Sequence, residues 1–322
     1  MQITLITPAP PGSKAGNRAT AERWERLLNQ AGHEVKVVTD YQGEPCDVLI
    51  ALHAWRSHEA IRRFRDTFPN KPLIVVLTGT DIYDHQHRCP DDTLYSMKQA
   101  DCLIGLHDLV ARDIPEEFGD KLVTVLQSAE QVAGRRAGPA DGAFQVCVIG
   151  HLRREKDSLR AAHAARLLPT TSKITVVNAG KAHTPDWQTA AQAEQAANAR
   201  FQWLGELDRR ASQRLMLNSR VMVISSVMEG GANVVSEACR MGLPILASDI
   251  SGNRGLLGED YPGYFPAGDD AALASLMLRA ETGPGFLETL TAKVDATAAR
   301  FTPETEQASL ERALALAVQR RS

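Results

Sequence analysis

Short apolar runs rich in β-branched residues recur through the first half of the chain, at Ile3 to Thr7, Val35 to Thr39, Val48 to Leu52, Leu73 to Leu77, Cys102 to Leu106 and Leu122 to Leu126. Runs of this length without polar alternation predict buried parallel strands. Between them, Ala19 to Gln30 sets Ala19, Trp24, Leu27 and Leu28 on one side of a helix that stops at Gly32, and His58 to Phe68 does the same before Pro69. The segment 130–142, rich in Gly and Ala with Pro139 and Asp141, lacks an apolar period and reads as a linker. The alternation then restarts: strand Gln145 to Ile149, helix Asp157 to Leu168, strand Ile174 to Val177, helix Asp208 to Leu217, strand Val221 to Ser225, helix Ala232 to Met241 and strand Ile245 to Ala247. Ala-rich Thr189 to Arg200 reads as helical, and Pro303 to Arg320 as a long amphipathic helix. The expected fold is α/β, with two doubly wound units in tandem. Trp24 is expected in the core and Trp55 at the rim of a site.

Composition narrows the partners. The 322 residues carry 36 Lys+Arg and 39 Asp+Glu, a formal charge of −3, which lacks the basic excess of a nucleic-acid or anionic-membrane binder. An anionic ligand must therefore meet a local site. The five cysteines are widely spaced and odd in number, so buried thiols in a reducing compartment are expected. MQITLITPAP enters directly into a strand-like run, and no apolar stretch approaches about 18 residues, which predicts a cytoplasmic protein without a membrane span.

Doubly wound sheets bind ligands beyond the carboxyl ends of their strands, so the residues just past each strand matter most. After the first strand, Gly12, Ser13, Lys14, Ala15, Gly16, Asn17 and Arg18 lead into a helix; the glycines allow amides to approach a phosphate or a sugar, and the two cations favour an anion. A plain flexible turn is the alternative. The third strand ends in His53, Ala54, Trp55, Arg56 and Ser57, and the fourth in Thr78, Gly79, Thr80 and Asp81, polar clusters that project toward one crevice. A hydrogen-bonded strand-end histidine and an N-cap aspartate are the alternatives for His53 and Asp81. His85, His87 and Cys89 are ligand types at close spacing, but a fourth ligand and a zinc-type pairing are missing, so no metal is expected.

In the second half, Gly150, His151, Leu152, Arg153, Arg154, Glu155, Lys156 and Asp157 follow a strand and are expected to open a helix, a turn suited to a diphosphate. The stretch from Ser225 to Ala238 holds Glu229 and Glu237 around Gly230, Gly231, Ala232, Asn233 and Val234. Its glycines can offer amides to phosphate, while the carboxylates can accept hydroxyl protons from a polyol. A helix-capping glutamate is the alternative.

At these residues the sequence resembles a GT-B glycosyltransferase of the family 4 type, through E-x7-E at Glu229 and Glu237, EACRMGLPILASD after it, and a G-x-L-x-x-x-K match at Gly150, Leu152 and Lys156. Trp203, Leu204 and Gly205 resemble the loop bordering the nucleotide base, so Leu204 is expected at the donor. The resemblance implies two Rossmann-like domains facing a cleft, closing about the linker, with a C-terminal helix that crosses back to the first domain. It implies that Glu229 holds the donor sugar, that Lys156 and residues 230–233 hold the diphosphate, and that Glu237 holds the ribose. His151 stands where the family usually has Arg, which shifts the expected phosphate contacts to Arg153 or Arg154.

The first half, through ITLITPAPPGSKAGNRATAERW, CDVLIALHAWRSHEAIRRF and PLIVVLTGTDIYDH, is similar to the selenosugar synthases of selenoneine biosynthesis. That resemblance implies attack of selenophosphate on a UDP-sugar, UDP-N-acetylglucosamine in the first place, giving a 1-seleno-sugar, UDP and phosphate without a cofactor. The implied domains are 1–132 for selenophosphate, 133–302 for the donor, and 303–322 for the crossing helix. An anionic selenium nucleophile needs placement more than a base. Lys14, Arg18, His53 and Arg56 are therefore expected on the phosphoryl oxygens, with Gly12, Gly16, Asn17, Ser57 and Thr80 as neutral contacts and His53, Asp81 and Glu229 as catalytic candidates. A glycosyltransferase with an ordinary hydroxyl or thiol acceptor, or a silent sugar-nucleotide binder, would share most of these residues.

Overall fold

A computed structural model of the chain describes residues 1–13, 15–132 and 142–321. It divides into a first unit of residues 1–128 with 302–322 and a second of residues 129–301. Lys14 and most of the expected linker lie outside the described residues. Among those described, no helix is long and apolar enough to cross a membrane.

The first unit is built on a six-stranded sheet in the order β2-β1-β3-β4-β5-β6. Its strands are β1 Gln2–Ile6, β2 Glu34–Val38, β3 Val48–Leu52, β4 Leu73–Val76, β5 Cys102–Gly105 and β6 Leu122–Thr124, all paired in parallel. Every residue of β3 is buried, because successive side chains alternate between two covered faces. Val48, Ile50 and Leu52 join Trp24, Leu27 and Leu28 of helix Gly16–Gln30 in one core; Leu49 and Ala51 join Ile61 and Phe64 of helix His58–Thr67 in the other. Helix Gly16–Gln30 ends in a Schellman turn, with Gly32 at φ 89°, its N–H bonded to the Asn29 carbonyl, and the His33 N–H bonded to that of Leu28.

Helix Pro303–Arg321 lies in this unit and contributes Leu310, Ala313, Leu314 and Ala317 to the first core. Each buried leucine contributes about 2 kcal/mol by removal of apolar surface from water. At its start the fully buried Glu306 accepts hydrogen bonds from Trp24 Nε1 at 2.7 Å, Arg23 Nε at 2.8 Å and the Ser128 amide at 2.9 Å, and from the Ser128 hydroxyl.

The second unit repeats the plan with β7 Phe144–Ile149, β8 Ile174–Ala179, β9 Phe201–Trp203, β10 Val221–Ile224, β11 Ile245–Ser248 and β12 Tyr264–Phe265, in the order β12-β11-β10-β7-β8-β9. In each unit the chain runs outward in one direction and then returns to the other side of its first strand. The reversal lies between β1 and β3 in one sheet and between β7 and β10 in the other, where open α/β sheets form their ligand crevices.

Most expected elements are present with ends shifted by a few residues. One differs in a way that matters: no helix starts at Asp157. Residues Arg154–Lys156 form a 3-10 turn, Asp157 adopts a left-handed conformation at φ 44°, and the helix spans Arg160–Arg166. Arg153, Arg154 and Lys156 thus precede the helix, and an anion held by them gains little from its dipole, which fades beyond the first turn.

Candidate functional site

In the second unit the loops after β7 and β10 are fastened together. The Val227 amide donates to the Glu155 carbonyl at 2.9 Å, and Ser225 Oγ donates to the carbonyl of Asp157 at 2.9 Å. This places the Lys156 ammonium on the Glu229 carboxylate, which is 6 % exposed and also accepts from Ser226 Oγ at 2.5 Å. Gly252 makes room for that loop, since a Cβ there would stand 2.2 Å from the Glu229 carbonyl oxygen. Lys156, Gly150, Ser225, Ser226 and Val234 line one small pocket.

Helix Asn233–Arg240 begins at this pocket with no side chain capping it, and both Asn233 Oδ1 and Ser236 Oγ are buried without a partner. Gly230, Gly231 and Ala232 form the turn into it, and Glu237 lies half-buried on its fifth residue. His151 is turned to the neighbouring strand end, its Nδ1 accepting from the Lys181 amide at 3.2 Å. Arg153 keeps a buried Nε without a hydrogen-bond partner, whereas Arg154 is exposed. Leu204 is exposed just past β9. The serines that hold this site were not expected; a polar Ser-Ser pair directly after an all-apolar strand was the available signal.

In the first unit, the ends of β3 and β4 meet around Asp81. This carboxylate is 1 % exposed and accepts from the amides of Ala54, Trp55 and Thr78 at 3.0, 3.0 and 2.9 Å, from Thr78 Oγ1 at 2.8 Å, and from His53 Nδ1 at 2.7 Å. Burial works to raise its pKa, but the hydrogen bond and charge of His53 with the amides of Trp55 and Thr78 outweigh it and hold the carboxyl below its usual range. Asp81 therefore opens no ordinary helix as an N-cap. It starts a π-helical turn, Asp81–His85, a rare geometry concentrated at functional sites.

His53 is 2 % exposed and stands at φ 77°, left-handed backbone that costs a non-glycine residue about 1 kcal/mol. With its Nδ1 proton on Asp81, its Nε2 faces Thr80 Oγ1 at 3.2 Å. His85 stacks on Trp55 with ring centroids 4.3 Å apart and keeps a buried, unpartnered Nδ1; burial and the nearby His53 charge hold its pKa below the ordinary value. His53, Asp81 and His85 place one ligand atom each within 4.8 Å of one another, the one such cluster among the described residues. The run His85, His87, Cys89 does not converge in this way.

The acceptor-side residues differ in exposure and in partners. His53 is 2 % exposed, with its Nε2 turned to Thr80 Oγ1. The Ser57 hydroxyl donates to the Leu52 carbonyl at 2.8 Å, so its proton is already used. Arg18 is paired with Glu22 at 2.6 Å on its own helix, beside exposed Gly16 and half-buried Asn17, and Gly12 forms an exposed turn at φ 78°. Arg56 is exposed and makes no ion pair among the described residues.

The nearby carboxyl end of β5 carries a network that composition did not reveal: Tyr83 Oη lies 3.0 Å from His107 Nε2 and donates to Asp113 Oδ2 at 2.8 Å. It ties the π-helical turn to the next loop. Burial lowers the His107 pKa to about 4.

Among solved structures, the chain is similar to Anabaena HepE in complex with UDP and glucose, with TM-score 0.76 at 15 % identity over 98 % of this chain and 99 % of that one. It is also similar to sucrose-phosphate synthase from Thermosynechococcus elongatus, with TM-score 0.77 at 15 % identity over 97 % of both chains. The likeness establishes the fold, two Rossmann-like units of the GT-B kind. A family model described as glycosyl transferases group 1 matches residues 134–296, half of the chain and all the loops around Lys156 and Glu229. The chain belongs to the group 1 glycosyl transferases.

Proposed function

We propose that this transferase moves a sugar, N-acetylglucosamine in the first place, from a UDP-sugar to selenophosphate, giving a 1-seleno-sugar, UDP and phosphate. Residues 133–302 take the donor in this reading, and residues 1–132 take the acceptor. The observation that carries the transferase half is the Lys156–Glu229 pair at the point where the second sheet reverses. On donor binding the ammonium leaves the carboxylate for the diphosphate, freeing Glu229 to accept sugar hydroxyl protons. Charge that grows on the β-phosphate as the glycosidic bond breaks then meets Lys156 and the amides of residues 230–233. Arg153, whose Nε makes no hydrogen bond and lies 3.9 Å from Glu155, and Glu237 complete the donor set, on diphosphate and ribose respectively.

The selenium half is supported by the sequence resemblance and by exposed Arg56, which makes no ion pair among the described residues. Arg56 places a cation where a phosphoryl group can reach it. A specific observation favours a second reading: the His53–Asp81 pair, reaching outward through the Thr80 hydroxyl, is a base of the kind a hydroxyl or thiol acceptor requires. The test is anaerobic incubation of the protein with UDP-N-acetylglucosamine and selenophosphate, following UDP and product mass, beside a control without selenophosphate. UDP release that depends on selenophosphate, with a selenosugar mass, is the expected result. Release that depends only on an added alcohol or thiol moves the assignment to the second reading.

A further inference from the structure

The proposed reaction contains a second bond to break. Attack by selenium leaves a glycosyl selenophosphate, and water must then cleave its Se–P bond. We propose that Asp81, His53 and Thr80 form a proton relay whose outermost atom, Thr80 Oγ1, takes the proton of that water; the inference rests on the selenophosphate reading above.

Burial sets the order of the relay. Asp81 and His53 are 1 % and 2 % exposed, whereas Thr80 is half-buried, so a substrate meets the hydroxyl and not the imidazole. The His53 Nδ1 proton is held by Asp81 Oδ1 at 2.7 Å, which leaves the Nε2 lone pair for the Thr80 hydroxyl proton at 3.2 Å. Orienter, base and hydroxyl in this sequence is the arrangement that activates serine in hydrolases, recognised by geometry and not by fold. Thr78 Oγ1, whose proton goes to Asp81, lies 3.3 Å from Thr80 Oγ1 and competes with His53 Nε2 at 3.2 Å for the one Thr80 proton. The left-handed backbone of His53 is maintained at a cost, which fits a ring that must point at Thr80.

The step balances. Water oxygen bonds to phosphorus, the Se–P bond breaks, and its electron pair leaves on selenium as the seleno-sugar selenolate. One water proton passes to Thr80 Oγ1 as the threonine proton passes to His53 Nε2, and Asp81 stabilises the imidazolium formed. His53 later returns the proton to solvent or to the selenolate. Thr80 touches the reacting water and is the catalytic residue; His53 and Asp81 act through it as positioning residues. The competing use of His53, Asp81 and His85, as ligands of a divalent cation, is read by the chelator arm of the test.

The test measures UDP and phosphate separately, with UDP-N-acetylglucosamine and selenophosphate, for the native protein, Thr80→Val, Thr80→Ser and His53→Gln. Phosphate formed per UDP is expected to fall about 100-fold in Thr80→Val and His53→Gln, the scale of a lost general base, while glycosyl selenophosphate accumulates by mass. Thr80→Ser is expected to restore the ratio, which a merely structural role for the side chain would not predict. Native protein that releases no UDP in response to selenophosphate overturns the functional reading and the relay with it. Native activity with an unchanged phosphate-to-UDP ratio in Thr80→Val overturns the relay alone. So does slowed phosphate release by native protein in a chelator.

Discussion

Replacing Glu306 by alanine should cost the first unit about 4 kcal/mol. The carboxylate is fully buried and takes four hydrogen bonds, from Trp24 Nε1, Arg23 Nε, and the amide and hydroxyl of Ser128. The Arg23 side chain is only 13 % exposed, so truncating its partner strands a guanidinium away from water, along with an indole N–H and an amide. Breaking a buried ion pair from one side costs about 3–5 kcal/mol, and the stranded neutral donors do not add fully because they share one acceptor. For a unit of about 150 residues this is a fall in Tm of about 8–16 °C. Scanning calorimetry or circular dichroism melts of Glu306→Ala would read it. The double variant Arg23→Met/Glu306→Met removes both charges and should recover at least half of the loss. A shift below about 2 °C in Glu306→Ala, or a double variant as unstable as the sum of its single variants, would refute the claim that this ion pair fastens the terminal helix.

Three other outcomes follow from the geometry. Lys156→Ala should weaken UDP binding by tenfold or more in calorimetric titration while leaving the fold intact, because Lys156 is partly exposed and its partner Glu229 keeps Ser226; unchanged affinity would remove it from the donor site. His107 stays neutral in the native state down to about pH 4, whereas in the unfolded chain it takes a proton below its ordinary value of 6.5. Its contribution is therefore full above pH 6.5 and lost as pH falls, by about 2.5 kcal/mol at pH 4.5, so urea unfolding of His107→Gln should be less sensitive to pH over that range. Burial pushes the thiols of Cys102, Cys147 and Cys239 up to about 12 and raises that of Cys46, while Cys89 is half-exposed; brief native alkylation mapped by mass should modify Cys89 first and the others only after unfolding.

The strand pattern was legible because parallel strands covered on both faces carry near-continuous apolar runs, and β3 matches its run from Val48 to Leu52. β9 and β12, three and two residues long, carry too few residues for such a signal. The loops at both sheet reversals were legible from their glycines and charges. What those charges do was not. Lys156 was expected at a helix start and instead lies before it, because Asp157 turns left-handed and forms an ion pair with Arg160 at 2.7 Å. His53 was expected on a ligand and is buried behind Thr80, since its partner Asp81 comes from another strand end. Such pairings depend on which strands are neighbours, and residue order alone carries little of that information.

The return of helix Pro303–Arg321 to the first sheet makes the second unit an insertion within the first, entered at Ser128 and left at Thr302. Ala129 donates its amide to the Phe301 carbonyl at 3.0 Å, so the two ends of the inserted segment meet. During synthesis residues 129–301 can complete their own sheet on emerging, while residues 1–128, made earlier, still await the side chains of Leu310, Ala313, Leu314 and Ala317 that close their core. The half of the protein made first is thus finished last. A nascent chain stopped short of residue 303 exposes an apolar sheet face, an inviting surface for a chaperone or for aggregation.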